Sequence, residues 1–329
     1  MKAIWYEKQG DASEVLIFGE MDKPVPQNDE VLVKVSFSGL NPSDTKRRSG
    51  FRGQKQAFPK IIPHSDGSGI IEAVGSNVNK NRVGERVWLY SAQWQRPHGT
   101  AAHFVCVPSS LAIPLADTIS LEIGATIGIP ALTAYAGLFK YSNLNGATIL
   151  ITGGGGSVGN CAIQMAKYAG AHVISSVSGP EKMTAALNAG ADNVLRYDTP
   201  HFVEDVLDIT AGRKLDLIFD VAFGHNIEAN LNIIKEHGIL STYASDNKSI
   251  AEIPFQKFLQ MNLSIYSVFM YLLEDKMMQD AVQFITNWQT DLGIKPFIAK
   301  QYHLSETALA HQDLESGAII GNIIIECQD

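Results

Sequence analysis

At 329 residues, with 45% hydrophobic and 18% charged side chains, the chain has the balance of an ordinary globular protein and is long enough for two compact units, each burying its own core. A net charge of −8 excludes a global basic field for nucleic acid or anionic lipid while leaving room for a local anion site. No stretch approaches the roughly 20 consecutive apolar residues that a membrane-spanning helix needs, and Met1 to Glu7 run into strand-like sequence without the apolar core of a secretory signal, which favours the cytoplasm. Cys106, Cys161 and Cys327 are widely spaced; they suit neither a disulfide framework nor a Cys-rich zinc lobe and read as reduced, buried thiols.

In chain order, short strands dominate as far as about position 110. Val31, Val33, Val35 and Phe37 alternate with Lys34 and Ser36, predicting a strand with one apolar face. Clusters at Pro24 to Asp29, Asn41 to Asp44, Gly75 to Asn81 and Pro97 to Gly99 supply the turns. Helical stretches follow at Leu121 to Ile127 and Thr133 to Phe139. Strands at Thr148 to Thr152, His172 to Val177, Leu215 to Asp220 and Ile239 to Tyr243 alternate with helix-length segments, which predicts an α/β, doubly wound parallel sheet; Asn193 to Arg196 and Leu263 to Phe269 are weaker pieces that would extend it. An amphipathic helix over Lys276 to Trp288 and the apolar run Ile323 to Ile325 complete the reading.

The strongest local signal is G-x-x-G-x-x-G at Gly153, Gly156 and Gly159, between an apolar strand and a helix whose apolar positions Val158, Ala162, Met165, Ala166 and Ala169 recur at helical spacing. Glycines there allow a sharp turn and close approach of a pyrophosphate, and the helix start offers unpaired N–H groups to the anion. A ligand-free glycine turn is the alternative; the strand before, the helix after and the further βα units favour a dinucleotide. The next strand ends in Ser178 where an acid would contact the ribose of NADH, and Lys182 follows one turn later, so a 2′-phosphate meets a hydroxyl and an ammonium: NADPH is expected. Lys182 also reads as a solvated helix residue, with Glu181 beside it.

These residues resemble the zinc-independent quinone oxidoreductases, the zeta-crystallin-like branch of the medium-chain dehydrogenase/reductase superfamily. The resemblance rests on Gly39-Leu40-Asn41-Pro42-Ser43-Asp44, Asp66-Gly67-Ser68-Gly69 with Glu72-Ala73-Val74-Gly75, Val83-Gly84-Glu85-Arg86-Val87, Leu132-Thr133-Ala134-Tyr135, the glycine loop, and Ser316-Gly317-Ala318 to Gly321. It implies a GroES-like β-rich catalytic domain built from both chain ends, over residues 1–122 and 263–329, with a Rossmann NADPH-binding domain, 123–262, inserted between them and the active site in the cleft. A homodimer is a further implication.

The resemblance also implies chemistry. Zinc-dependent relatives carry a cysteine where Asn41 stands and Gly-His-Glu where this chain has His64-Ser65-Asp66, so no zinc is expected and His64 is read as structural or cleft-lining. The expected reaction is hydride delivery from NADPH to a quinone or an α,β-unsaturated carbonyl compound, with the protein aligning the reactants and donating to the oxygen that becomes negative. Asn41 is placed at the nicotinamide end, as that donor or as a turn-stabilising residue. The resemblance places Asp44 and Lys46 with Asn41 as the catalytic set, Asp44 organising the loop and Lys46 standing in the active-site loop where many relatives have tyrosine. Cofactor positions carried over are Asn41, Thr133, Gly153, Gly156, Ser157 (a glycine in many relatives), Val158, Gly159, Ser178, Lys182, Tyr197, Ala244, Phe269 and Asn322, the last a lysine in relatives. Trp88, Trp94 and His98 either wall the acceptor site or are ordinary core and surface residues. Rival readings are an enone or enoyl-thioester reductase, against the thioester form of which no basic cluster outside the cradle is noted, and a non-catalytic NADPH-binding sensor.

Overall fold

The structure is a computed structural model that describes residues 1–141, 143–245, 250–291 and 295–328. The chain divides into two compact units, Met1–Ile129 with Val282–Asp329, and Pro130–Ala281.

The first unit carries β1 (Lys2–Trp5), α1 (Ala12–Val15), β2 (Ile17–Glu20), β3 (Glu30–Leu40), α2 (Pro42–Ser49), β4 (Asp66–Val74), β5 (Arg86–Leu89), β6 (Phe104–Pro108), β7 (Ala112–Pro114) and α3 (Leu121–Gly124). The second follows with α4 (Gly128–Phe139), whose first residues still belong to the first unit, then β8 (Thr148–Thr152), α5 (Ser157–Tyr168), β9 (His172–Val177), α6 (Pro180–Asn188), β10 (Asn193–Arg196), α7 (Phe202–Ile209), β11 (Leu215–Asp220), α8 (Phe223–Ile233), β12 (Ile234–Thr242), α9 (Phe255–Gln260) and β13 (Ser264–Ser267). The helix α10 (Asp275–Asp291) leads back to β14 (Ile298–His303), α11 (Thr307–Glu315) and β15 (Asn322–Glu326) in the first unit.

In the first unit a seven-stranded sheet runs β14-β15-β3-β4-β5-β7, with β6 also paired to β3. The terminal run Ile323, Ile324, Ile325 is at most 1% exposed, because β15 lies between β14 and β3 rather than at an edge. Val31, Val33, Val35, Ile71, Val87 and Ile325 share one core, each contributing about 1.5–3 kcal/mol of burial. The predicted alternation holds through Val35 and then breaks: register shifts at Leu32/Val33 and Val35/Phe37 turn the strand, so Ser38 is buried while Phe37 is only partly so.

In the second unit six strands run parallel in the order β10-β9-β8-β11-β12-β13, the order of a doubly wound sheet that reverses direction beside β8. Leu150, Ile174, Ile218 and Leu240 are sealed in its core. β12 begins at Ile234, five residues before the expected start. The polar run Lys235-Glu236-His237 hides this half in the sequence, and His237 sits at φ +60° beside an irregularity in the pairing with β11. The compact units also depart from the expected limits 122/123 and 262/263. β13 pairs with β12 and stays with the parallel sheet, while α3 is held to the first unit by Ser68, whose hydroxyl donates to the Leu121 carbonyl. Among the described residues no helix is long and apolar enough to cross a membrane.

Candidate active site

The parallel sheet gathers one set of residues at its carboxyl edge. β8 ends at Thr152, and Gly153 turns the chain at φ +71°, its N–H bonding the Ser176 carbonyl at 2.9 Å. Gly156 caps α5 and, having no side chain, makes no cap hydrogen bond to the first-turn N–H groups. The glycines divide by what a side chain would meet. At Gly159 a Cβ would stand 2.3 Å from the Gly153 carbonyl oxygen, whereas at Gly156 it would meet only that oxygen, at 3.4 Å. Gly159 therefore serves packing, and Gly156 keeps open the space in front of the helix start, the combination an incoming phosphate requires. Ser157 and Val158 form the first turn of this helix.

Behind the loop, a buried carboxylate fixes its approach. Asp220 at the end of β11 accepts from Thr152 Oγ1 (2.9 Å), the Ala222 N–H (2.9 Å), Asn226 Nδ2 (2.9 Å) and Asn230 Nδ2 (2.7 Å). Thr152 Oγ1 accepts in turn from the Val221 N–H at 2.8 Å. The sequence analysis gives Asp220 no role; its signal is an acid that follows the apolar run Leu217-Ile218-Phe219 at a strand end.

Lys182, in the first turn of α6, donates to Ser178 Oγ at 3.0 Å. Its stem crosses the glycine loop so closely that a Cβ on Gly155 would fall 2.7 Å from the Lys182 Cβ. Hydroxyl, ammonium and cradle thus form one wall. Tyr197 joins it through its N–H, bonded to the Val177 carbonyl at 3.2 Å, with its ring exposed. Ala244 and Phe269 follow the ends of β12 and β13 on the same carboxyl edge, and Thr133 is buried in α4.

The first unit holds the other residues. Asn41 caps α2 and Asp44, its third residue, accepts from the Asn41 N–H at 2.9 Å; Pro42 fits the first helical position, where its missing N–H costs nothing. The Asn41 side chain is committed, Nδ2 donating to Asp66 Oδ2 at 2.8 Å, so one amide proton remains for any other acceptor. Asp66 Oδ2 also accepts from the Ile129 N–H at 2.8 Å, capping the start of α4, while its Oδ1 has no hydrogen-bond partner among the described residues and lies against Gly128. Burial raises the Asp66 carboxyl well above the usual carboxylate range. It also pushes Asp44 up to about 6, against the opposing pull of Arg47 and of the Asn41 and Ser65 N–H groups. Asp66 opens the motif Asp66-Gly67-Ser68-Gly69, in which no local pattern marks its role. Asn322 opens β15, whose next residue, Ile323, pairs with Leu40 of β3. Its amide donates to the Phe297 carbonyl at 3.1 Å.

His64 is held at φ +76° in a closed relay. Thr100 Oγ1 donates to the Asp66 carbonyl at 2.5 Å, Ser38 Oγ lies 2.7 Å from Thr100 Oγ1 and 2.8 Å from His64 Nδ1, and His64 Nε2 lies 2.9 Å from His311 Nε2. Since the Thr100 proton is spent, Ser38 must donate to it. His64 Nδ1–H then donates to Ser38, and His311 Nε2–H to His64. Both rings are fully buried, which lowers His64 to about 3 and His311 well below the ordinary value. His64 is structural. Trp88 is fully buried core, while Trp94 lies under the Arg47 guanidinium, 5.0 Å from its ring centroid, and His98 is exposed. Neither an amide committed to Asp66 nor an imidazole bonded at both nitrogens suits a zinc ligand, and among the described residues no three His, Cys, Asp or Glu groups could hold a metal.

A parallel sheet with a glycine cradle, joined to a β-rich unit made from both ends of the chain, defines an oxidoreductase of the two-domain dehydrogenase/reductase class. Residues 27–117 match the alcohol dehydrogenase GroES-like domain family and residues 157–287 the zinc-binding dehydrogenase family. The mouse quinone oxidoreductase is 29% identical over 325 residues, covering 97% of this chain and 95% of that one. The structure of an Escherichia coli quinone oxidoreductase complexed with NADPH aligns with a TM-score of 0.86 at 26% identity, covering 99% of this chain and 100% of that one. A mycobacterial protein complexed with NADPH aligns equally well, with the same TM-score of 0.86, identity of 26% and coverage of 99% and 100%. The chain belongs to the medium-chain dehydrogenase/reductase superfamily, in its zeta-crystallin-like, quinone oxidoreductase branch.

Proposed function

We propose that the chain is a zinc-independent, NADPH-dependent oxidoreductase acting on a quinone or an α,β-unsaturated carbonyl acceptor. One observation carries the cofactor choice: Lys182 Nζ and Ser178 Oγ, 3.0 Å apart, flank the glycine loop at a strand end that has no carboxylate. A 2′-phosphate meets an ammonium and a hydroxyl there, and the α5 N–H groups receive the diphosphate.

Reduced nicotinamide, when bound, supplies the hydride. The protein's own part is positioning. Gly156 leaves the approach open, Asp220 fixes Thr152 and hence the loop, and Thr133, Tyr197, Ala244 and Phe269 line the cofactor's path. In the first unit Asp66 holds the Asn41 amide in one orientation, with its second N–H available to an acceptor oxygen as charge develops there. Asp44 keeps α2 in place beneath it. The committed donors at Asn41 and His64 support a reaction without zinc. A homodimer through the β13 edge is supported by exposed Ile265 and Phe269 beside an edge strand, and a cytoplasmic location by the reduced state implied for three buried cysteines.

The test is consumption of NADPH and of NADH with 1,2-naphthoquinone and with a simple enone, alongside metal analysis of the purified protein. Turnover with NADPH preferred and without stoichiometric zinc is the expected result. Tight NADPH binding with no turnover on any acceptor would turn the reading to a sensor.

A further inference from the structure

The segment between Asp44 and Asp66 holds six cations, Lys46, Arg47, Arg48, Arg52, Lys55 and Lys60, and no carboxylate, in a chain of net charge −8. This is a basic cluster outside the cradle, which the sequence reading overlooked. Part of this cluster is used by the fold. Arg48 is buried and pairs with Glu315, Lys60 pairs with Glu7 at 3.1 Å, and Arg47 donates to Gln93 Oε1 at 2.9 Å while lying over Trp94. Lys46 and Lys55 meet no carboxylate among the described residues.

Lys46 and Arg52 instead converge on one ring. The Lys46 ammonium lies 5.3 Å and the Arg52 guanidinium 5.0 Å from the centroid of Phe51, which is exposed. The loop presenting them is tied down. Gln9 Nε2 donates to the Arg47 carbonyl at 2.9 Å and the Gln54 carbonyl at 2.8 Å, and Gln56 Nε2 to the Phe58 carbonyl at 2.6 Å. Arg52 itself sits at φ +55°, between Gly50 at +72° and Gly53 at +76°, a turn that aims its side chain at a cost of about 1 kcal/mol or more. Lys46 stands on α2, five residues beyond Asn41, about 7.5 Å along the helix axis.

We infer that Phe51, Lys46 and Arg52 form an acceptor subsite for a planar ring carrying a negatively charged substituent, making acidic quinones the preferred substrate class. This rests on the proposed quinone reductase activity. A flat ring can stack on Phe51 while its acidic group meets two cations, and exposed cations also raise the encounter rate of an anion in a salt-dependent way.

The experiment compares kcat/KM for 1,2-naphthoquinone-4-sulfonate and for 1,2-naphthoquinone, with NADPH, at low and high ionic strength, in the wild type and in Lys46→Gln combined with Arg52→Asn. Asparagine tolerates the left-handed backbone at position 52. The expected result is a wild-type preference for the sulfonate that shrinks with salt, and a fall in the sulfonate-to-neutral ratio of about tenfold in the double variant. An unchanged ratio would overturn the inference, since loss of a purely structural or catalytic role lowers both substrates alike. Preferential turnover of crotonyl-CoA would also overturn it, assigning the cations to a pantetheine phosphate. If neither quinone is reduced, the proposed activity fails separately, and calorimetric binding of 1-naphthalenesulfonate still decides the subsite: binding that the double variant abolishes supports it, and absent or unaltered binding removes it.

Discussion

Replacing Lys182 with methionine keeps most of the stem that packs over Gly155 and deletes only the ammonium, which isolates the charge. In the wild type that ammonium is 3.0 Å from Ser178 Oγ in a partly buried setting. A charge-assisted hydrogen bond to a phosphate contributes about 1.5–3 kcal/mol, and the partial exposure argues for the lower end. The expected loss is therefore on the order of tenfold in kcat/KM for NADPH. NADH carries no 2′-phosphate, so the ratio of kcat/KM for NADPH over NADH should drop by the same factor. Lys182→Ala also removes the stem from the glycine loop, and should add a penalty common to both cofactors. Steady-state kinetics with one acceptor held fixed read both numbers. An equal fall for the two cofactors in Lys182→Met, or no fall for either, would refute the assignment of this wall to the 2′-phosphate.

Three further outcomes are expected. Gly156→Ala should fold with stability within about 0.5 kcal/mol of wild type, because its Cβ meets only an ordinary contact, yet weaken cofactor binding severalfold; Gly159→Ala, driven into the Gly153 carbonyl, should lose about 1–3 kcal/mol in denaturant melts. Asp66→Ala strands the Asn41 amide and the Ile129 N–H in a buried place and should cost about 2–4 kcal/mol by the same melts, whereas Asp66→Asn retains an acceptor and most of that stability. The buried histidines set an acid limit. With His64 lowered from 6.5 to about 3, and His311 shifted the same way, the unfolded chain binds more protons below pH 6.5, so stability rises with pH from about 3 to 6.5. The His64 share alone is on the order of 4 kcal/mol by the low end of that window. Asp44, raised from 3.8 to about 6, and Asp66, raised well above the same value, work oppositely: each folded carboxyl holds a proton the unfolded form has lost, so stability falls as pH rises above about 4. Denaturant melts across pH 4 to 7 should show a slope of stability against pH that is less positive in the His64→Gln, His311→Gln double variant than in the wild type; an unchanged slope would mean the pair does not stay neutral.

The parts legible in the sequence were those whose partners are near in the chain. β8, β9 and β11 keep their expected limits because each is an apolar run bounded by turn residues, and Ser178 and Lys182 meet because they are one helical turn apart. What stayed hidden depends on distant partners. α2 has no apolar stripe, and buries Arg48 against Glu315, 267 positions away; His64 owes its role to His311, 247 positions away. The Asn41 amide is settled by Asp66, 25 residues on, where no local pattern distinguishes a free donor from a committed one. Ser142, residues 246–249 and 292–294, and Asp329 lie outside the described residues, and of the expectations only the domain spans 123–262 and 263–329 reach them.

The place of β15 bears on how the protein is made. Because Asn322–Glu326 pair with β3 on one side and β14 on the other, the β-rich unit lacks an interior strand until synthesis has passed Glu326. Pro130–Ala281 has all its strands in hand long before, so the nascent chain should acquire a protease-resistant middle while its first hundred-odd residues still wait, a window in which chaperones have work to do.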